Sequence, residues 1–148
     1  IYKWHLNSSS VEELGVHTPS GHRVSLLNEL EWVEGELWAN YYGTRCIARI
    51  EPDSGEVKGW VVAPHGSLFT PAHPAVSVMN GIAYNPDNKH LYLSGKMWPR
   101  LFQVSVAERT EEEQEHKDAV WGSLSQLCPY PSMSAADASY WAELSASS

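Results

Sequence analysis

No apolar run in this chain approaches the roughly 18–20 residues that a bilayer-spanning helix needs, so no helical membrane anchor lies within it and no membrane partner is expected. Positive charge is scarce: 10 Lys and Arg stand against 18 Asp and Glu, a net charge of -8. The deficit is uneven. Residues 108–148 hold eight acids and two bases, leaving ten acids and eight bases in residues 1–107. The acidity therefore belongs to a tail, and no basic footprint points to a nucleic-acid partner. Nothing resembles a phosphate-cradling glycine loop or a nucleophile elbow, which removes support for nucleotide and serine-hydrolase chemistry. The chain opens at Ile1 with neither a methionine nor a basic-then-apolar leader, and reads as the distal piece of a longer product. Cysteine is also scarce. Cys46 falls in an expected strand and reads as a small buried hydrophobe, and a disulfide from there into the tail at Cys128 is not expected.

What the chain does contain is a repeat. LNELEWVEGELWANYYGTRCIARI runs from Leu27 to Ile50, and MNGIAYNPDNKHLYLSGKMWPRLFQV from Met79 to Val104. With Asn28 set on Asn80 and two extra residues allowed in the first turn, Leu37 falls on Leu91 and Tyr42 on Lys96. Ile47–Ile50 then falls on Leu101–Val104. A repeat of this length, built from short strands, is the mark of a radial β-architecture in which no unit buries its core alone.

The apolar signal alternates in short runs bounded by Gly, Pro, Asn and Asp, which predicts strands. Two are expected at Ile1–Leu6 and Val11–Val16, joined through Asn7–Ser10, with Asn7-Ser8-Ser9 a glycosylation sequon. A connection over His17–Ser25 leads to a first full unit at Leu27–Val33, Glu36–Tyr42, Cys46–Ile50 and Val57–Val62. Its turns are Glu34-Gly35 and Pro52-Asp53-Ser54-Gly55. After a long loop at Ala63–Ser77, the second unit has strands at Met79–Tyr84, His90–Ser94 and Leu101–Val106. Four antiparallel strands describe a propeller blade, so the chain counts as half a blade, one whole blade and three strands of another. The missing outer strand is expected from upstream, because ring closure protects sheet edges. Beyond Ala107, Glu108–Lys117 reads as a short solvated helix and Ala119–Ser148 as a mostly disordered extension.

In an antiparallel pair the start of one strand lies beside the end of the next. Asn28 and Asn80 begin their first strands, and Tyr42 and Lys96 end their second strands, so all four are expected at one face, forming a binding mouth. The plainer reading of the asparagines is that they cap backbone groups at strand entry, and of Lys96 that it is a surface lysine. Glu29 and Glu31 share a strand face and could act as an acid/base couple, or merely be a solvated edge. His65 and His73 lie in the long loop with no supporting acid or thiol pattern, so no metal site is expected there. Trp32, Trp38, Trp60 and Trp98 are expected in the core.

LNELEWVEGELWAN, IARIEPDSGEVKGW, NGIAYNPD and SGKMWPRLFQV together resemble the plant and bacterial type of glutamine cyclotransferase, from about Leu27 to Val106. That resemblance implies an all-β fold, a five-bladed β-propeller of four-stranded antiparallel blades, of which this chain would hold the last two to two and a half. It implies conversion of an N-terminal glutamine of a peptide or protein to pyroglutamate with release of ammonia. No cofactor is implied, an ion in the propeller channel is compatible with the architecture, and the full-length protein is expected to be a monomer in the secretory pathway or outside the cell. Asn28 of LNELE matches a substrate-contacting asparagine of the family, and Lys96 of GKMWP a lysine at the active-site mouth. Tyr42 stands where the family has a tryptophan, keeping an aromatic wall and adding a hydroxyl. The family's glutamate acid would lie upstream of Ile1, so no catalytic residue is assigned to this chain, and the chain alone is expected to be inactive. The alternative is a non-catalytic propeller that binds peptides or sugars through the same mouth.

Overall fold

A computed structural model describes residues 1–63, 78–108, 128 and 141–146 of the 148, with the backbone alone for residues 108 and 141–146. Among these residues the regular structure is all β: β1 (Tyr2–His5), β2 (Ser10–Glu13), β3 (Leu27–Val33), β4 (Glu36–Tyr41), β5 (Cys46–Ile50), β6 (Val57–Val62), β7 (Met79–Asn85), β8 (His90–Gly95), β9 (Phe102–Glu108) and β10 (Trp141–Ala146). β1 and β2 form a separate antiparallel hairpin, and the other eight strands form one sheet in the order β3-β4-β5-β6-β10-β9-β8-β7. β9 continues through Glu108, so the helix expected to start there does not. The remainder of that expected helix, the histidine loop and most of the tail lie outside the described residues.

The two copies of the repeat fold alike to the level of individual pairs. In the first hairpin Leu27 faces Tyr41, Leu30 faces Ala39 and Glu31 faces Trp38; in the second, Met79 faces Gly95, Ile82 faces Leu93 and Ala83 faces Tyr92. Each inner strand is irregular at the same place, between Leu27 and Leu30 and between Met79 and Gly81, so both asparagines sit in a bulge. The two-residue difference between copies is taken up in the hairpin turns. Glu34 and Gly35 both have positive φ (47° and 92°), the conformation of a tight two-residue hairpin turn. The second turn is longer and is built on side-chain acceptors, with Asn85 Oδ1 taking the Asp87 N–H and Asn88 Oδ1 the His90 N–H.

Strand alternation divides the apolar side chains into two cores. One face of β4, β5 and β6 gives Ala39, Tyr41, Ala48, Ile50, Trp60 and Val62, which pack with Val16 and Val24 of the N-terminal connection. The other face gives Trp38, Ile47 and Val61, which pack against Met79, Ile82, Leu93 and Val104 of the second unit. Each sheet face thus buries itself only because a neighbouring unit covers it, as the repeat requires. Trp38 and Trp60 are core residues as expected, and Trp98 packs at the edge of the second cluster. Trp32 is not in the core: it is 57% exposed and lines an open cleft with Tyr84 and Pro86.

Two expectations are corrected on the tail side. Cys46 and Cys128 form a disulfide with a Cα–Cα distance of 5.8 Å, and both residues are fully buried. Eighty-two residues of sequence separation concealed a contact that only the tertiary path of the tail creates. The outer position beside β9 is filled by β10 of the tail rather than by an upstream strand. β10 runs antiparallel to β9 and parallel to β6, so it joins the outer edges of both units. Sealing such edges removes unpaired backbone groups that would otherwise recruit other chains.

A loop of this length closed by a native disulfide typically contributes about 2–4 kcal/mol. Cys128→Ser is expected to lower the unfolding free energy by about that amount in a urea titration. The unmodified chain should react with a thiol reagent only after reduction; free thiols in the unreduced native chain would contradict the bond.

Candidate functional site

Hairpin geometry brings the candidate mouth residues to one end of the inner strands. The backbone N–H of Tyr42 donates to the Leu26 carbonyl (2.9 Å), and that of Lys96 to the Val78 carbonyl (3.0 Å). These are the same bond in the two copies, each closing its hairpin just before the bulge. Tyr42 and Lys96 are therefore equivalent in space as well as in sequence. The Tyr42 side chain is half exposed and Lys96 is exposed. A phenol and an ammonium group are thus presented to solvent from one end of adjacent units.

Asn28 is also exposed and lines a cleft of about 370 Å³ between β3 and the N-terminal segment. Glu13 and Arg23 stand on the same cleft, and Leu26, the backbone partner of Tyr42, forms part of its wall. Tyr42 and Lys96 do not line this cleft; Tyr42 adjoins it through its backbone bond to Leu26. A β-bulge re-aims side chains and is over-represented next to active sites, so the position of Asn28 is suited to reaching a ligand. Asn80 differs. It is partly buried, and its Oδ1 is sealed from solvent with no hydrogen-bond partner, so the expected capping role does not hold for that oxygen.

The carboxylate pair is committed to structure. Glu29 Oε2 accepts the Ile82 N–H at 2.8 Å, and Glu31 Oε1 accepts the Tyr84 N–H at 2.7 Å. Alternate amides of β7 that do not point at β8 are thereby satisfied by two side chains of β3, at charge-assisted distances. At the far end, Glu34 Oε1 accepts the Tyr84 hydroxyl (2.9 Å) and pairs with Lys89 (3.1 Å). Neither Glu29 nor Glu31 is available as an acid/base couple. Burial raises the Glu29 carboxyl, the Ile82 N–H partly offsets this, and the nearby Glu31 charge adds to the rise. His65 and His73 fall outside the described residues, and no group of three metal-ligating side chains occurs among those described.

Comparison with known proteins places this geometry. A family model described as glutamine cyclotransferase matches residues 8–106. A glutaminyl-peptide cyclotransferase of Arabidopsis thaliana is 34% identical over 110 residues, covering 73% of this chain and 34% of that protein. The crystal structure of Myxococcus xanthus glutaminyl cyclase superposes with a TM-score of 0.60 at 29% identity, covering 70% of this chain and 46% of that one. The chain thus spans between a third and a half of the relatives it matches, and residues 107–148 lie beyond the family match.

The carboxylate contacts across the seam make two expected outcomes measurable. Glu31→Ala strands the Tyr84 N–H and should destabilise the chain by about 1–3 kcal/mol. Glu29→Gln keeps an acceptor for Ile82 and removes the charge. With its carboxyl raised above the ordinary 4.5, Glu29 binds its proton more tightly in the folded chain. Its contribution is fully present below that ordinary value and is lost as pH rises through the raised one. Glu29→Gln should therefore be at least as stable as the parent at neutral pH, with the advantage shrinking in acid. A Glu29→Gln variant destabilised at neutral pH, with the deficit vanishing in acid where the parent is protonated, would show that the charge itself holds the seam.

Proposed function

Because the chain belongs to the glutamine cyclotransferase family, we propose that it supplies part of the substrate mouth of a glutaminyl-peptide cyclotransferase, an aminoacyltransferase. The enzyme converts the N-terminal glutamine of a peptide or protein to pyroglutamate. β3–β6 and β7–β9 form two neighbouring blades of a five-bladed propeller, and the β1–β2 hairpin forms half of the blade before them. The observation that carries this reading is the paired placement of Tyr42 and Lys96 by equivalent backbone bonds beside the two bulges, within the residues the family model matches.

In the reaction the peptide's own α-amine attacks the γ-carboxamide carbon. A C–N bond forms as the amine gives up a proton, and the carbonyl oxygen takes up negative charge. As the carbonyl re-forms, the C–N bond to the departing ammonia breaks while that nitrogen gains a proton. The protein must hold the substrate in the cyclised pose, stabilise the oxyanion and deliver the proton. Asn28 offers an amide donor and acceptor to the substrate at the cleft, Lys96 offers positive charge at the mouth, and Tyr42 forms an aromatic wall with a hydroxyl at its rim. None of the three is an acid suited to protonating the departing nitrogen, and Glu29 and Glu31 are bound to backbone amides. By the family resemblance the proton comes from a glutamate acid upstream of Ile1, and no cofactor enters the chemistry. A secretory or extracellular setting is supported by the Cys46–Cys128 disulfide, since such bonds persist in oxidising compartments. The exposed sequon Asn7, in the turn between β1 and β2, is consistent with the same route.

The test is ammonia release from a glutamine-initiated peptide. The 148-residue chain alone is expected to show no turnover. In a complete ring carrying these residues, Lys96→Ala should lower kcat/KM about 10- to 100-fold, the loss of one hydrogen bond from a charged group. Turnover by the chain alone would overturn the placement of the acid, and an unchanged kcat/KM in Lys96→Ala would remove the lysine from the mouth.

A further inference from the structure

Asn40 is wholly buried, and neither its Nδ2 nor its Oδ1 has a hydrogen-bond partner. It is the penultimate residue of β4, within the stretch Leu37–Tyr41, whose alternation is otherwise filled by apolar and aromatic side chains. Period two places Asn40 on the same face as Trp38, and its cross-strand partner Ile47 lies in the same buried cluster. The amide therefore faces the seam between the two repeat units. Across that seam β4 touches β7, where Met79 belongs to the same cluster and Asn80 follows it with a sealed, unpartnered Oδ1.

A wholly buried carboxamide and a partly buried one whose oxygen is sealed, both with unused polar atoms, thus stand on the two strands at the mouth end of one seam. Buried polar side chains almost always have a partner, and each exception calls for a reason. Nothing in the local backbone asks for asparagine at Asn40: the residue has an ordinary ladder position, and asparagine is depleted in strands. An apolar side chain there would avoid the desolvation altogether. We propose that the Asn40 and Asn80 carboxamides form a site for one water-sized guest that both donates and accepts hydrogen bonds.

The polar atoms define the guest's chemistry. Two amide oxygens call for a donor, and the Asn40 Nδ2 calls for an acceptor. Water meets both demands, and so does ammonia. A metal cation does not, because the Asn40 N–H₂ would confront it. The site stands just behind the mouth: Asn40 precedes Tyr42 by two residues, and the Lys96 N–H bonds to Val78, two residues before Asn80. If ammonia is the guest, the site receives the leaving group of the cyclisation; that one point rests on the function proposed above, while occupancy by water does not.

The experiment uses the whole chain, labelled with ¹⁵N, and reads the Asn40 side-chain amide by NMR. Ammonium chloride is then titrated against sodium chloride at equal ionic strength, at a pH that holds part of the ammonium as ammonia. A water cross-peak to the Asn40 Hδ2 protons from a long-lived bound molecule supports the site with water as its guest. A saturable shift of those protons with ammonium and not with sodium supports it with ammonia. Absence of both overturns it, whatever the outcome of the turnover assay. Asn40→Leu should lower the Tm; a variant as stable as the parent, or more so, also overturns it. Should Asn40→Leu fail to fold, the measurements on the parent chain decide.

Discussion

The architecture depends on how an inner strand finds partners for the amides its own hairpin does not use. β7 pairs with β8 along one edge and presents alternate N–H groups along the other, and leaving such groups buried and unpaired is costly. Glu29 and Glu31, two residues apart on one face of β3, reach across and accept the amides of Ile82 and Tyr84. The spacing of two in β3 meets the spacing of two in β7, so the contact fixes register between units as a ladder would within a sheet. The apolar cluster of Trp38, Ile47, Met79, Ile82 and Leu93 can then close behind it. Once the seam is set, the ends of the two hairpins are set relative to each other, and with them Tyr42 and Lys96.

This arrangement explains why much of the fold was legible in the sequence. β3, β5 and β6 occupy the residues that short apolar runs bounded by turn chemistry assign to them. The repeat overlay set Leu37 on Leu91 and Ile50 on Val104, and the structure pairs Leu37 with Ile50 and Leu91 with Val104, since copies that share a turn logic share a register. The placement of Tyr42 and Lys96 was legible for the same reason: they mark hairpin ends, and hairpin ends are a topological property of the pattern.

What was hidden depends on tertiary path or on what covers a face. Cys46 looks like any small strand residue, and nothing near Cys128 signals that the tail returns to it. The outer position beside β9 could be counted as vacant, yet the pattern alone did not name β10 as its occupant. Trp32 was expected in the core because tryptophan generally is, but it lines an open cleft with Tyr84 and Pro86 and stays 57% exposed. Asn40 was overlooked because its neighbours Trp38, Ala39 and Tyr41 made the strand read as uniformly apolar. The sign that it differs is the absence of any partner, which sequence does not carry. Glu29 and Glu31 were recognised as a same-face pair, but an acid/base couple, a solvated edge and a backbone staple share that spacing.

The two copies also differ where their equivalence would be most useful, and the differences have a direction. Register sets Glu29 on Gly81 and Glu31 on Ala83, so the second unit has no carboxylates with which to hold a following strand as β3 holds β7. A Cβ on Gly81 would collide with the Ser94 hydroxyl, so the side chain cannot simply be restored there. The backward faces, by contrast, remain apolar in both copies: Leu30 corresponds to Ile82 and Trp32 to Tyr84. In the second copy these residues pack toward the first unit, whereas in the first they stand exposed. Each unit is therefore built to receive a neighbour on its backward side, but only the first grips one on its forward side. The mouth follows the same rule of a shared backbone carrying divergent chemistry, with Tyr42 and Lys96 held by one kind of hydrogen bond. Repetition supplies the convergence of strand ends, and substitution within the repeat supplies unlike groups, a phenol and an ammonium, at equivalent positions.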